Sequence, residues 1–425
     1  MNTLVFKRYD ADALRSKGLI VTENPEMGVA IVRYHKGDNA WKTQQFGDCD
    51  RDDPVVRNHR SVVYSLITGL PVSVAPIRRM MDTEVTLRSC KVSDWEVTKY
   101  YDGTMISVFW NPTMKPDVPG EELGWTLSSR SKLHAACRFT SDRLFRDLFE
   151  DARKSCGMEF TTLNREMGYT FILQHPESRH VLPVEGAKIV LVQVSRLVPC
   201  VDSEGENSLR AEILSVDERN IEARRIGVAV PESVYTTEND SLVDLFKYTM
   251  LPEQASQLQG WVAVPRKGGW ERVRITSKAY DECLFLRGDN SNLRTNYIRL
   301  MAIDPAGSAI RQYAEWYPEE ASAIMEVSDS IKRVADDLVT LYRARHVTKS
   351  MEHDDLPHWS RRPIWDLHGA YLRHRVPIQV PEVMVYFRSI SPSAVNGILK
   401  MWKKESSRKE KEGGTTVVDG ETECV

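Results

Sequence analysis

The chain has 425 residues, 57 Lys and Arg against 60 Asp and Glu, a net charge of −3 and 41% hydrophobic residues. At roughly 150 residues per domain this predicts two to three domains with sizeable cores, and it excludes a disordered chain, a fibrous repeat and a small disulfide-stapled module. Near-neutral charge excludes a protein that coats nucleic acid through global charge, but not one with a local basic groove. No apolar run approaches the roughly 18 residues of a membrane-spanning helix. The opening MNTLVFKRYDADALRSKG is broken by Lys7, Arg8 and Asp10 and does not read as a secretory signal.

Cys49, Cys90, Cys137, Cys156, Cys200, Cys283 and Cys424 are scattered, odd in number and free of any CxxC pair. This predicts free thiols in a reducing compartment, hence a cytoplasmic protein, rather than a disulfide framework or a structural zinc site.

Strand signals dominate the first 110 residues. Met27–Tyr34 is rich in β-branched residues. His59–Pro76 reads as a hairpin turning around Thr68-Gly69. Trp95–Trp110 carries two β-rich halves joined at Asp102-Gly103, a strong tight-turn signal. Thr140–Lys154 is the clearest helix: Leu144, Phe145, Leu148, Phe149 and Ala152 share one face, with Thr140 or Ser141 as cap. Strands return at Gly168–Gln174 and Lys188–Leu197. Residues 206–257 read as helical with loops. Gly260–Val264 and Glu271–Ile275 read as a hairpin around Lys267-Gly268-Gly269.

Beyond about Ala279 the pattern turns helical. Glu319–His346 places Ile324, Val327, Ile331, Val334, Leu338 and Leu341 at steps of three and four, a stripe read as core packing. Ile364–His374 and Ser393–Lys404 are shorter helices. The expected organisation is a β-rich domain over 1–285, a helical domain over 286–404 and a polar, disordered tail over 405–425. His353, Asp354, Asp355 and His358 lie in a Pro-containing loop and match no specific metal spacing. Arg361, Arg362, Arg373 and Arg375 read either as a basic RNA-facing patch or as a solvated helix face.

Five ordered segments carry the chemistry. They are Arg60-Ser61-Val62-Val63-Tyr64; Lys99-Tyr100-Tyr101-Asp102-Gly103-Thr104-Met105-Ile106; Leu127-Ser128-Ser129-Arg130-Ser131-Lys132; Tyr169 to Arg179 (YTFILQHPESR); and Gln259-Gly260-Trp261-Val262, followed by Arg272 to Tyr280 (RVRITSKAY). Each has a bland counterpart. Lys99 also reads as a solvated strand lysine, Asp102-Gly103 as an ordinary turn, His175 as a hydrogen-bonded strand-end histidine, and Trp261 as core.

Taken together and in this order, the segments resemble the covalent nucleotidyltransferase superfamily, most closely the phage-type RNA ligase 1 family. They are also similar to predicted RNA ligase-like proteins of large DNA viruses. The resemblance covers about residues 60–288. It implies an α+β nucleotidyltransferase (ATP-grasp-like ligase) domain with antiparallel sheets, followed by a helical C-terminal domain. It implies ATP and Mg²⁺ as cofactors and RNA ends as partner, in the host cytoplasm or a virion if the source is viral.

By the same resemblance, Lys99 is the nucleophile and Asp102 shapes the catalytic pocket. Arg60, Gly103, Arg130, His175, Arg274 and Lys278 contact the nucleotide or its phosphates, and Gln259 stands where a metal-associated acid usually sits. A lysine amine needs neighbouring cations or a metal to lower its pKa before it attacks the α-phosphate. The sequence departs from the family pattern at five positions. Tyr100 occupies the usual lysine slot, with Lys99 one residue earlier. Ile172 and Gln259 replace glutamates, and Arg274 and Thr276 replace lysines. Three readings follow: an ATP-dependent RNA ligase forming a lysyl-AMP adduct, a degenerate relative that binds nucleotide or RNA ends, and a structural protein using the fold as a scaffold.

Overall fold

The computed structural model describes residues 4–34, 53–76, 92–111, 124–139, 141–202, 205–234, 259–288 and 292–413. The chain divides into two compact units, Met1–Leu284 and Phe285–Val425. The first is α+β with antiparallel sheets and the second is helical.

In chain order the first unit comprises β1 (Leu4–Phe6), α1 (Ala11–Ser16), β2 (Ile20–Asn24), β3 (Val29–Arg33), α2 (Pro54–Asn58), β4 (Val62–Ser65), β5 (Pro71–Val74), β6 (Trp95–Lys99), β7 (Thr104–Trp110) and β8 (Trp125–Ser129). Then follow α3 (Phe145–Cys156), β9 (Met167–Gln174), β10 (Lys188–Val201), β11 (Asn207–Ile213), α4 (Val216–Ile226), β12 (Gly260–Pro265) and β13 (Val273–Thr276). These form a six-stranded sheet in the order β1-β11-β10-β9-β7-β8, a four-stranded sheet β2-β3-β4-β5 and a three-stranded sheet β13-β12-β6.

The largest core of this unit lies under α3. Leu148, Phe149 and Ala152 are fully buried and pack with Ile106, Phe171 and Leu191 of the six-stranded sheet. Each such side chain contributes roughly 1.5–3 kcal/mol when buried. The predicted helical face is present, but the cap is not. The helix begins at Phe145 behind Leu144, which makes no side-chain cap, and Ser141 Oγ instead accepts from the Arg143 amide at 3.0 Å. Thr140 lies outside the described residues.

Two further expectations are corrected. β6 and β7 do not pair across Asp102-Gly103: β6 runs antiparallel to β12, and β7 lies between β8 and β9. The dipeptide is therefore a crossing between two sheets rather than a hairpin turn. Asn207–Ile213, read as helical, is strand β11 between β1 and β10. Its Leu, Arg, Ala and Glu are good helix formers, but pairing on both edges overrides that weak preference.

The helix Lys278–Arg287 (α5) spans the division between the units. The second unit continues with α6 (Leu293–Ile303), α7 (Ser308–Trp316), α8 (Ala321–Tyr342), α9 (His358–His374), α10 (Val380–Ser389) and α11 (Pro392–Gly413). The α8 stripe buries Ile331, Val334 and Leu338 against Trp359 and Leu367 of α9 and Phe387 of α10. α11 carries helical backbone past Glu405 to Gly413, because its Lys-, Glu- and Arg-rich end is composed of good helix formers. Residues 414–425 lie outside the described residues. Among the described residues no helix is long and apolar enough to cross a membrane.

Candidate functional site

The three-stranded and six-stranded sheets both line a cleft of about 520 Å³, counted out to its open mouth. Its floor is apolar, with Met105 of β7, Ile172 of β9 and Val192 of β10. Its cationic residues come from distant parts of the chain: Arg60 just before β4, Lys99 at the end of β6, Arg219 on α4 and Arg272 just before β13. Among the described residues no aspartate or glutamate lines it. Apolar side chains with a few convergent polar groups have the character of a small-molecule site.

The charges are poorly balanced. Arg219 Nη2 donates to Glu96 Oε2 at 3.0 Å, and Ser233 Oγ donates to Glu96 Oε1 at 2.7 Å, so this buried carboxylate is fully engaged. Arg272, only 7% exposed, donates to a neutral acceptor, Gln193 Oε1, at 2.7 Å. Burial, reinforced by the charges of Arg60 and Arg219, lowers the Arg272 pKa to about 9. Burial also holds Arg60 below its ordinary value, with the Tyr34 phenol acting the other way. Guanidinium groups are almost never deprotonated in proteins, so the depression marks a buried cation whose one acceptor among the described residues is neutral. An anion in the cleft would relieve it.

Lys99 closes strand β6 opposite Trp261 of β12 and lines the same cleft as Arg60. Its Nζ lies 3.9 Å from Glu232 Oε2, an exposed side chain, and 5.7 Å from the centre of the Tyr101 ring. Lys188 Nζ approaches the same ring at 5.4 Å. Burial, followed by the charge of Glu232, pushes the Tyr101 phenol up to about 12, so it stays protonated. Tyr100, in the slot where the family pattern carries lysine, also lines the cleft, and its amide donates to Gly260 O at 2.8 Å. The strand ends at Lys99, so the strict two-residue alternation does not send Lys99 and Tyr100 to opposite sides.

The remaining predicted residues lie elsewhere. Asp102 is a buried tie: its Oδ2 accepts from the Val181 and Leu182 amides, both at 2.8 Å, and its Oδ1 accepts from Tyr280 Oη at 2.9 Å. Gly103 has no positive φ; it is needed because a Cβ there would stand 2.4 Å from Leu173 O. Glycine is required there by the close approach to β9. Arg130 is not in the cleft lining, but Nη2 donates to Tyr34 O at 2.7 Å and its guanidinium covers the Tyr34 ring. His175 is buried, and its Nδ1 accepts from the Glu177 amide at 3.2 Å to cap the short turn Pro176–Ser178. Arg274 sits on β13 opposite Val262, outside the lining. Lys278 is three-quarters exposed, 4.0 Å from Glu282.

Gln259 is buried outside the cleft lining, and its Oε1 has no hydrogen-bond partner among the described residues. Mg²⁺ takes near-ideal octahedral oxygen coordination, usually including carboxylates. Among the described residues the cleft lining offers none, Glu96 is already engaged, and no cluster of three His, Cys, Asp or Glu suited to a metal occurs. The donor set of the described residues does not fit a protein-held Mg²⁺ site.

Sequence reasoning missed Arg219, and it named Arg272 within a motif while favouring Arg274 and Lys278. Arg219 had a signal. On α4 it shares the buried face of Val216, Ala223 and Ile226, an arginine on the apolar side of an amphipathic helix. Arg272 had none, because its burial comes from the packing of the β12–β13 loop.

No protein-family model matches the chain, and no curated protein matches it. Among solved structures it is similar to one form of an archaeal ATP-dependent RNA ligase, at 11% identity over 75% of this chain and 78% of that one, with a TM-score of 0.39. It is similar to a second form of an archaeal ATP-dependent RNA ligase at 11% identity over 76% and 78%, with a TM-score of 0.41. It is also similar to a putative ATP-dependent DNA ligase from Aquifex aeolicus, at 14% identity over 85% of this chain and 79% of that one, with a TM-score of 0.40.

Proposed function

We propose that the chain is a divergent RNA ligase-like nucleotidyltransferase relative that holds a nucleotide or the 5′-phosphate of an RNA end in this cleft. One observation carries the reading: Arg60, Arg219 and Arg272 converge on a cleft that no acid lines among the described residues, and Arg272 is depressed to about 9. Phosphate oxygens are the natural complement of such a wall, since charge-assisted bonds from guanidinium groups are short and strong. The apolar floor of Met105, Ile172 and Val192 suits a base or sugar rather than a second charge. The ordered sequence segments point the same ligand towards RNA ends.

The binding-only form of this reading rests on Tyr100 in the lysine slot and on the absence of a Mg²⁺ ligand set among the described residues. A second reading is favoured by Lys99 lining the same cleft as Arg60. In it the Lys99 amine attacks the α-phosphorus of ATP. A nitrogen–phosphorus bond forms, the bond to the bridging oxygen breaks, and pyrophosphate leaves. The AMP then passes to an RNA 5′-phosphate and is displaced by a 3′-hydroxyl, which joins the ends.

Incubation with α-labelled ATP or GTP separates the two, read alongside titration with 5′-phosphorylated and 5′-hydroxyl oligoribonucleotides. The binding reading expects phosphate-dependent, salt-sensitive binding and no label surviving denaturation. A stable adduct lost in Lys99→Ala would replace it with the ligase reading. Absence of any phosphate-dependent binding would overturn both.

A further inference from the structure

The helical unit carries a surface that the cleft does not explain. On α9 the buried face is formed by Trp359, Pro363, Ile364 and Leu367, which turn into the core of that unit. At 3.6 residues per turn the opposite face carries Trp365, Gly369 and Leu372. Trp365 is 72% exposed. An exposed leucine is ordinary, but a tryptophan turned out of the core is not, because it has so much apolar area to bury.

The charge around it is one-sided. From His358 to Arg375 the chain has four arginines, Arg361, Arg362, Arg373 and Arg375, against one acid, Asp366. That acid is already engaged: its Oδ2 accepts from Arg362 Nε at 3.0 Å and from Tyr386 Oη of α10 at 3.3 Å. Arg361 donates to two backbone carbonyls, Leu356 O at 3.0 Å and Asp354 O at 2.8 Å, so its charge is held but not neutralised. Among the described residues neither Arg373 nor Arg375 pairs with an acid.

The planar groups along the flank of α9 are stacked, whereas Trp365 is open. His346 lies on His368 with ring centres 3.8 Å apart, and the Arg375 guanidinium stands 5.9 Å from the Tyr371 ring centre. Among the described residues no ring or cation covers Trp365. One turn along, Gly369 leaves a notch, and a Cβ there would lie 3.6 Å from Arg373 Nη1. Helical side chains lean towards the N-terminus, so the Arg373 guanidinium lies over this notch, one turn from Trp365.

We propose that this face of α9 is a stacking platform for the interior of a single-stranded RNA. A base lies on the Trp365 indole, and the phosphates on either side of it meet Arg362 and Arg373. Stacking on an open aromatic beside cations that track the backbone needs unpaired bases and tolerates any sequence. It needs no strand end, and the platform shares no residue with the cleft, which is assigned an end phosphate. The choice of RNA over DNA rests on that reading of the cleft; the stacking does not. A membrane surface fits less well, because Arg361 and Gly369 interrupt the apolar stripe that an interfacial helix presents.

Fluorescence anisotropy of the full chain with a labelled, covalently closed oligoribonucleotide circle, which has no 5′ end, tests this. Wild type should bind the circle, more weakly as salt rises. Trp365→Ala should weaken binding about tenfold and Trp365→Phe no more than about threefold, with neither changing the melting temperature. Arg373→Gln should lower the salt slope by about 0.7, the contribution of one single-strand phosphate. AMP binding should be the same in all three variants as in wild type. A circle that wild type does not bind, or binds no more tightly than Trp365→Ala does, overturns the platform. So does a duplex that loses as much affinity in Trp365→Ala as the circle does. Binding of phosphatidylserine vesicles that depends on Trp365, without binding of the circle, reassigns the face to a membrane. A DNA circle bound more tightly than the RNA circle overturns the choice of RNA. Failure of wild type to bind AMP would sink the cleft reading and leave the platform to stand or fall on the circle.

Discussion

Two buried arginines, one in each unit, show how the same side chain serves structure in one place and ligand in another. In the helical unit Arg287 Nη1 contacts Tyr313 Oη and lies 2.7 Å from Glu320 Oε1. Burial alone would lower its pKa, but Tyr313 and Glu320 outweigh burial and raise it. In the cleft Arg272 is equally buried, has among the described residues only the neutral Gln193 oxygen, and feels the charges of Arg60 and Arg219. Its pKa falls to about 9. A paired buried cation is part of the fold. An unpaired one costs stability until something negative arrives, and such sites are where function and stability oppose each other.

The strongest way to break this comparison is to remove each arginine in turn. Arg287→Met should destabilise the chain by about 3 kcal/mol in chemical denaturation, because it strands Glu320 and Tyr313. Arg272→Met should leave stability unchanged or raise it by about 1 kcal/mol while abolishing phosphate binding. Equal destabilisation by both would dissolve the contrast.

Asp102 and Gly103 sharpen the same distinction from the structural side. Asp102→Ala removes the acceptor for two amides and a phenol and should cost about 2–4 kcal/mol, with any loss of phosphate binding following only from unfolding. Gly103→Ala forces a methyl against Leu173 O and should cost about 1–3 kcal/mol by the same measurement. A folded Asp102→Ala variant that lost ligand binding at full stability would return Asp102 to the site.

The pH dependence has a definite sign. The Arg272 guanidinium keeps its proton, so its burial penalty persists and the stability advantage of Arg272→Met should stay level between about pH 6 and about pH 9. The smallest effect belongs to Lys278→Ala, an exposed residue outside the lining: within about 0.5 kcal/mol in stability and no change in phosphate affinity.

The fold class was legible because long periodic segments spoke clearly: the α3 face, the α8 stripe, and strands β9, β10 and β12. The crossing at Asp102-Gly103 was not, because a local pair that usually turns a hairpin was here held by Val181, Leu182 and Tyr280 from far along the chain. For the site, the motif order drew attention to Arg60 and Lys99, which both line the cleft. It also pointed to His175 and Lys278, whose surroundings are a turn cap and solvent. Arg272 and Gln193 owe their positions to a loop and a bulge, features of pairing that no single segment encodes.

The central claim is that Arg272 is held uncompensated for a phosphate. It is tested most directly by the thermal shift of wild type and Arg272→Met with and without AMP or pyrophosphate. The account predicts a variant that melts at or above the unliganded wild type and gains nothing from either ligand, while the wild type rises by several degrees. A variant that melts well below wild type, or that is stabilised by these ligands as much as wild type is, would contradict it.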